Sequence, residues 1–226
     1  MINDWQTYRL GDFIPFAPEV YFRLIERVNE AFWPLQLVTL AMGLAALALA
    51  LRGNGRAALI VLAPGLVVSA FAFHFDYYAE INIAAPWFGW TFIAQAVLLA
   101  VIAALPGPRP PQPPPGAIQR IVGTAIAVIG LAAWPLISVL AGHGWNRSEV
   151  FGLHPDPTAV AALGIVLLVV TKLRAALVMM IPAFWCLMTG LILHALDAAW
   201  AVLPMMLAVV AGLTPLAARM VGRIKQ

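Results

Sequence analysis

The stretch PTAVAALGIVLLVVTKLR, residues 157–174, decides the fold of this chain. It runs without a charge from Pro157 to Thr171 and ends on Lys172 and Arg174. At 1.5 Å per residue those apolar residues cover about 22 Å, short of the roughly 30 Å of hydrocarbon in a bilayer. Whether the segment crosses determines on which side every later residue falls.

Six longer apolar segments surround it, at residues 31–51, 57–73, 84–105, 121–142, 175–193 and 198–218. A chain that is 63% hydrophobic and 10% charged lies outside the soluble range, and only a helix satisfies its own backbone in lipid. If all seven segments cross, Arg52, Arg56, Arg109, Arg120, Lys172, Arg174, Arg219, Arg223 and Lys225 share one side. The other side keeps only Arg9, Arg23, Arg27 and Arg147, together with every Asp, Glu and His of the chain. Positive charge marks the cytoplasm, so the N-terminus is expected outside and the C-terminus in the cytoplasm. Removing the crossing at 157–171 would scatter the cations over both faces. The expectation is an all-α polytopic protein of seven transmembrane helices, with flanking residues or local thinning accommodating the short fifth one and Lys172 snorkelling.

Two domains of unequal kind follow: an outer segment 1–30 and a transmembrane helical unit 31–226. Within the first, Tyr21, Leu24, Ile25, Val28 and Phe32 recur at helical spacing, opposite Arg23, Glu26, Arg27 and Glu30. This amphipathic helix is expected to lie on the outer membrane surface and to turn into the first span near Pro34. Trp33, Tyr77, Tyr78, Trp87, Trp145 and Trp200 are expected at the outer interface, where amphipathic rings are favoured. The Pro-rich stretch PGPRPPQPPPG, residues 106–116, reads as an extended cytoplasmic linker. Acids and prolines precede the first apolar run, the wrong order for a cleaved signal, so insertion is expected to rely on the first span.

No Asp, Glu, Lys, Arg or His falls in the middle of a predicted span, which weighs against proton-coupled transport. Gln95 is the deepest large polar residue and, as a lone glutamine, more often bonds a neighbouring helix than a substrate. The outer rim collects His74, Asp76, Glu80 and Asn82 after the second span, His154 and Asp156 before the fifth, and His143 and His194 after the fourth and sixth. Imidazole and carboxylate are ligands for divalent transition metals, so His74, His143, His154 and His194 are candidate metal ligands. Their spacing matches no metal signature, and Asp156 before Pro157 also reads as a helix N-cap. The single Cys186 excludes an intrachain disulfide or a thiol pair.

Four stretches carry a resemblance over almost the whole chain: VNEAFWPLQL (28–37), YAEINIAAPWFGWTFIAQAVLL (78–99), EVFGLHPDPTAVAALGIVLL (149–168) and IPAFWCLMTGLIL (181–193). Together they resemble an uncharacterised bacterial family of polytopic membrane proteins, a domain of unknown function some of whose members carry an automatic permease label. The resemblance implies a shared outer-facing design and the bacterial inner membrane, and brings no activity, substrate or cofactor.

The first functional expectation is an integral membrane protein that binds or transports a small solute or cation through a cavity opening at the acidic outer face. His74, Asp76, Glu80, Asn82, His154, Asp156 and Gln95 are its expected contacts. A non-enzymatic accessory subunit, docking a membrane-complex partner on the outer helix and the Pro-rich loop, is one alternative. A metal-dependent membrane enzyme using the outer His and Asp residues is the other. The lipid bilayer is the one sure partner, and no feature points to nucleic acid.

Overall fold

A computed structural model describes Gly11 and residues 14–106, 116–170 and 172–224. The Pro-rich residues 107–115, most of segment 1–13, and the side chain of Lys172 lie outside the described residues. Among the described residues the chain is helical, without strands. The helices are α1 (Pro18–Ala31), α2 (Leu35–Leu51), α3 (Gly55–Ser69), α4 (Ala85–Ala104), α5 (Ala117–Val128), α6 (Trp134–Leu140), α7 (Pro155–Val169), α8 (Lys172–Ala195) and α9 (Val202–Ile224). Two π-helical turns interrupt this pattern: Ala70–Phe75 prolongs α3, and Ile129–Ala133 joins α5 to α6.

Four of these rods are long and apolar enough to cross a membrane: Gly55–Glu80, Ala85–Ala104, Ala117–Leu140 and Arg174–Ala195. The pair α1 and α2 meets the same test jointly but bends by 92° between its halves. Pro155–Val169 and Val202–Ala218 are apolar but shorter.

Contacts divide the bundle into two ends. At one, the guanidinium of Arg120 donates to the Leu51 carbonyl and that of Arg56 to the Leu105 carbonyl, both at 3.1 Å. Cations there cap the negative carbonyl ends of α2 and α4. At the other end, α1 lies across the loops that follow α3 and α6. Arg27 forks onto Glu80 at 2.7 and 3.4 Å and stands 5.0 Å from the Tyr77 ring. Asn29 donates to the Asn146 and Ser148 carbonyls, and Glu26 accepts from Arg23, Asn146 and Arg147.

This placement revises the reading of α1. Its apolar face does not rest on lipid: Tyr21, Leu24, Ile25 and Val28 are buried against the bundle, so α1 roofs the acidic end. Tyr78, expected at the interface, is likewise inside, its ring 6.2 Å from that of Tyr21. Trp33, Trp87 and Trp145 are exposed, as interface anchors are.

The short α7 is the axis of the bundle. Every residue from Pro155 to Leu168 is buried, the pattern of a helix apolar on all sides and enclosed by protein. Small residues allow this close enclosure: a Cβ on Gly130 would come 2.5 Å from the Ala161 nitrogen. A helix enclosed on all sides by protein has no lipid-facing surface to match to a hydrocarbon thickness.

The segment before α7 drops into the bundle. The Phe151 ring lodges between the middles of α2 and α3, where a Cβ on Gly43 would come 2.9 Å from it and one on Gly65 2.8 Å. Gly152 follows with φ +83°, a conformation that a side chain disfavours, and packs on Thr39 of α2. Its N–H donates to Thr158 Oγ1 at 2.7 Å, and that hydroxyl donates to the His154 carbonyl at 2.6 Å. Irregular backbone survives at this depth because protein, not lipid, surrounds it.

Candidate functional site

The descending segment carries titratable groups into the interior. Glu149, His154 and Asp156 are all buried, His154 and Asp156 completely. The expectation of an open outer rim is therefore revised for His74, His154 and Asp156, which are buried, whereas Asp76, Glu80 and His194 are exposed.

Each of the three is fixed differently. Asp156, in the first turn of α7, accepts from the Trp185 indole at 2.8 Å and from Thr189 Oγ1 at 2.9 Å. Trp185 and Thr189 lie four residues apart on α8 and so share a face. The positive end of the α7 dipole adds to this stabilisation of negative charge. Glu149 accepts from the Trp134 indole at 2.8 Å through Oε2, whereas Oε1 has no partner among the described residues. His154 accepts the Val150 N–H on Nδ1 at 3.0 Å, which leaves the proton on Nε2, the nitrogen that interacts with the backbone of Ile25 in α1.

His74 occupies the π turn after α3 and is completely buried. Aromatic rings enclose it: Phe92 and Trp185 at centroid distances of 4.9 Å, Phe73 at 5.4 Å, Tyr78 at 6.2 Å and Phe88 at 6.3 Å. Neither ring nitrogen has a partner among the described residues. An unpaired buried polar group costs about 1–3 kcal/mol, and a π turn is a common mark of functional positions. Trp185 connects the two parts, its indole N–H bonded to Asp156 and its ring in T-shaped contact with His74. Ser69 Oγ is a further buried, unpartnered group on the same rod.

The remaining sequence candidates have other duties. Glu80 is exposed and bonded to Arg27; Asp76 is exposed. Asn82 donates to the Tyr78 hydroxyl and accepts the Ala84 N–H, both at 2.9 Å. Gln95 donates to the Val178 carbonyl at 2.8 Å, the interhelical bond expected of a lone glutamine, with Oε1 unpartnered.

The four histidines do not converge. His74 and His154 flank Phe73, at 5.4 and 5.9 Å. His143 stacks on Phe22 at 4.2 Å, and His194 is exposed in the last turn of α8. Among the described residues no group of three or more His, Cys, Asp or Glu is placed to hold a metal ion.

Around Glu26 the electrostatics are those of a clamp. The Arg23 guanidinium holds its carboxyl below the usual carboxylate range, Asn146 and Arg147 add to this, and partial burial opposes it.

Sequence reasoning counted Thr189 only among the lesser polar residues of the spans and passed over Trp185, although their four-residue spacing on an apolar helix was a usable signal. It also read Glu149 only as a rim acid.

No curated relative and no solved structure matches the chain. One family model does, over residues 18–220, which takes in α1, the descending segment and both halves of the buried cluster. The chain belongs to that family of unknown function, DUF6064.

Proposed function

We propose that this is a seven-pass protein of the bacterial cytoplasmic membrane, N-terminus outside, that binds a small cation or cationic solute beneath α1, at the submerged start of α7. The crossings are α2, the rod α3 with its π turn, α4, the rod from α5 to α6, α7, α8 and α9. The distribution of Lys and Arg supports the orientation.

The observation that carries the reading is the burial of two carboxyls, Glu149 and Asp156, on one segment where the backbone leaves helical form, with Glu149 Oε1 unpartnered among the described residues. Ionisable groups inside a membrane bundle are costly and mark ligand or ion sites. Two carboxyls stand there with no buried Lys or Arg beside them among the described residues, and burial pushes the Glu149 carboxyl well up, so a cation bound there takes the place of its proton. Toward the other end the interior is apolar, with Leu59, Leu62, Leu99, Ile126, Leu163 and Leu167 buried. Binding is thus the primary act, and passage across requires α1 and this apolar layer to move.

The test is thermal unfolding of the purified protein in detergent, with Na+, K+, ammonium or tetramethylammonium exchanged against N-methylglucamine at constant ionic strength. One of these ions should raise Tm saturably, by an amount equivalent to about 2.7 kcal/mol at a hundredfold excess over Kd, and Glu149→Gln should abolish the rise. Equal Tm in every ion, or an unchanged response in Glu149→Gln, overturns the reading. Orientation is checked separately in a Cys186→Ala background: an impermeant maleimide should label Ile83→Cys in intact cells, and Arg52→Cys only after permeabilisation.

A further inference from the structure

We propose a second site, distinct from the cation cluster: the cleft between α4 and α8 at the acidic end takes a neutral, lipid-soluble ring with a carbonyl head, of quinone type, and His74 is the group that recognises the head. This goes beyond the cation reading and does not depend on it.

The cleft is a cavity of about 260 Å³, bounded by Phe16 and its neighbours Ile14 and Pro15, by Tyr78 and Phe88, and by Met188, Leu191 and Ile192 of α8. Leu191 is exposed on the bundle surface, so the cleft opens sideways, toward lipid in a membrane-embedded chain. Its volume lies just under the usual range for drug-sized ligands, which suits one small planar ring system of one or two fused rings, any tail being left in the bilayer.

Three features select the ligand. The lining holds no charged residue, so neither a carboxylate nor a phosphate headgroup would find a counter-charge. Flat aromatic walls, Phe16, Tyr78 and Phe88, favour a planar body over a flexible chain. His74 stands behind this lining: Tyr78 and Phe88, which border the cavity, have their ring centroids 6.2 and 6.3 Å from that of the imidazole. His74 brings one donor and one acceptor, both unpartnered among the described residues, and the donor suits a carbonyl oxygen. Phe88, only half-buried in the first turn of α4, is the ring whose rotation joins cleft and imidazole. No redox step is implied.

Menadione is the probe, titrated into the protein in lipid nanodiscs with tryptophan fluorescence as the readout, since Trp185 lies 4.9 Å from His74. A saturable quench is expected. Ile192→Phe, which fills the cleft, and His74→Leu, which removes the head contact, should each weaken it at least tenfold, whereas Leu213→Ala, on the exposed face of α9, should leave it unchanged. If a variant misfolds, wild type still decides: 2-methylnaphthalene, which has the ring without carbonyls, should compete at least tenfold more weakly than menadione. A linear quench insensitive to the variants is bulk partition and overturns the proposal, as does equal competition by 2-methylnaphthalene or by oleate. The ion titration reads the cation site separately, so either site can fail alone.

Discussion

The carboxylate of Asp156 and the indole N–H of Trp185 meet at 2.8 Å inside the bundle, joining the first turn of α7 to the middle of α8. A buried bond to a charged acceptor is worth more than a neutral one, and breaking it strands a polar group on each side. A double-mutant cycle with Asp156→Asn and Trp185→Phe should therefore give a coupling of about 1.5–3 kcal/mol. Unfolding in detergent of the four proteins measures it, and additive single effects would show the bond to be incidental.

Phe151 should be among the most costly residues to truncate. Its ring is fully buried between Gly43 and Gly65, and Phe151→Ala leaves a cavity worth about 3–5 kcal/mol. Gly65→Ala should also destabilise, because a new Cβ would stand 2.8 Å from the ring. Combined with Phe151→Leu, Gly65→Ala should lose most of its own effect. Additivity in that pair would contradict the packing described.

The roof formed by α1 should loosen in acid. The Glu26 carboxyl, held below its ordinary range chiefly by Arg23, stabilises the folded state in full above its unfolded pKa, and that contribution disappears as pH falls through the lower folded value. Amide protection factors in α1 should drop below about pH 4 while those in α7 persist. In Glu26→Gln the α1 protection should be low already at neutral pH. A profile in which α1 and α7 fall together would mean the clamp is not a separate unit.

His74 offers a test of cost against use. Replacing an unpaired buried imidazole by an apolar side chain removes its desolvation penalty, so His74→Leu should raise Tm by about 2–4 °C for each kcal/mol recovered. A fall in Tm instead would assign the ring a structural role.

Much of this architecture was legible in the sequence because it rests on long uncharged runs. Residues 18–30 and 157–171, for example, correspond closely to α1 and α7. Depth was harder to read. EVFGLHPDP shows the acids, histidine and prolines of an interface loop, and nothing in composition separates a loop roofed by protein from one bathed in water. The same ambiguity hid the destination of α1, since an apolar helical face suits a bilayer surface and a bundle equally well. His74 was named as a rim residue, but its burial escaped for another reason: its setting depends on a π turn that shifts the facing of the residues after Ala70, which a count at ordinary helical period misplaces.

The enclosure of α7 also bears on how the chain is assembled. When synthesis has passed residue 169, the groups that will satisfy Asp156 are still to come, since Trp185 and Thr189 belong to α8. Until α8 arrives, the start of α7 holds a carboxylate without its donors in a slot open on one side. A chain truncated after α7 should be degraded quickly, and one extended through α8 should persist.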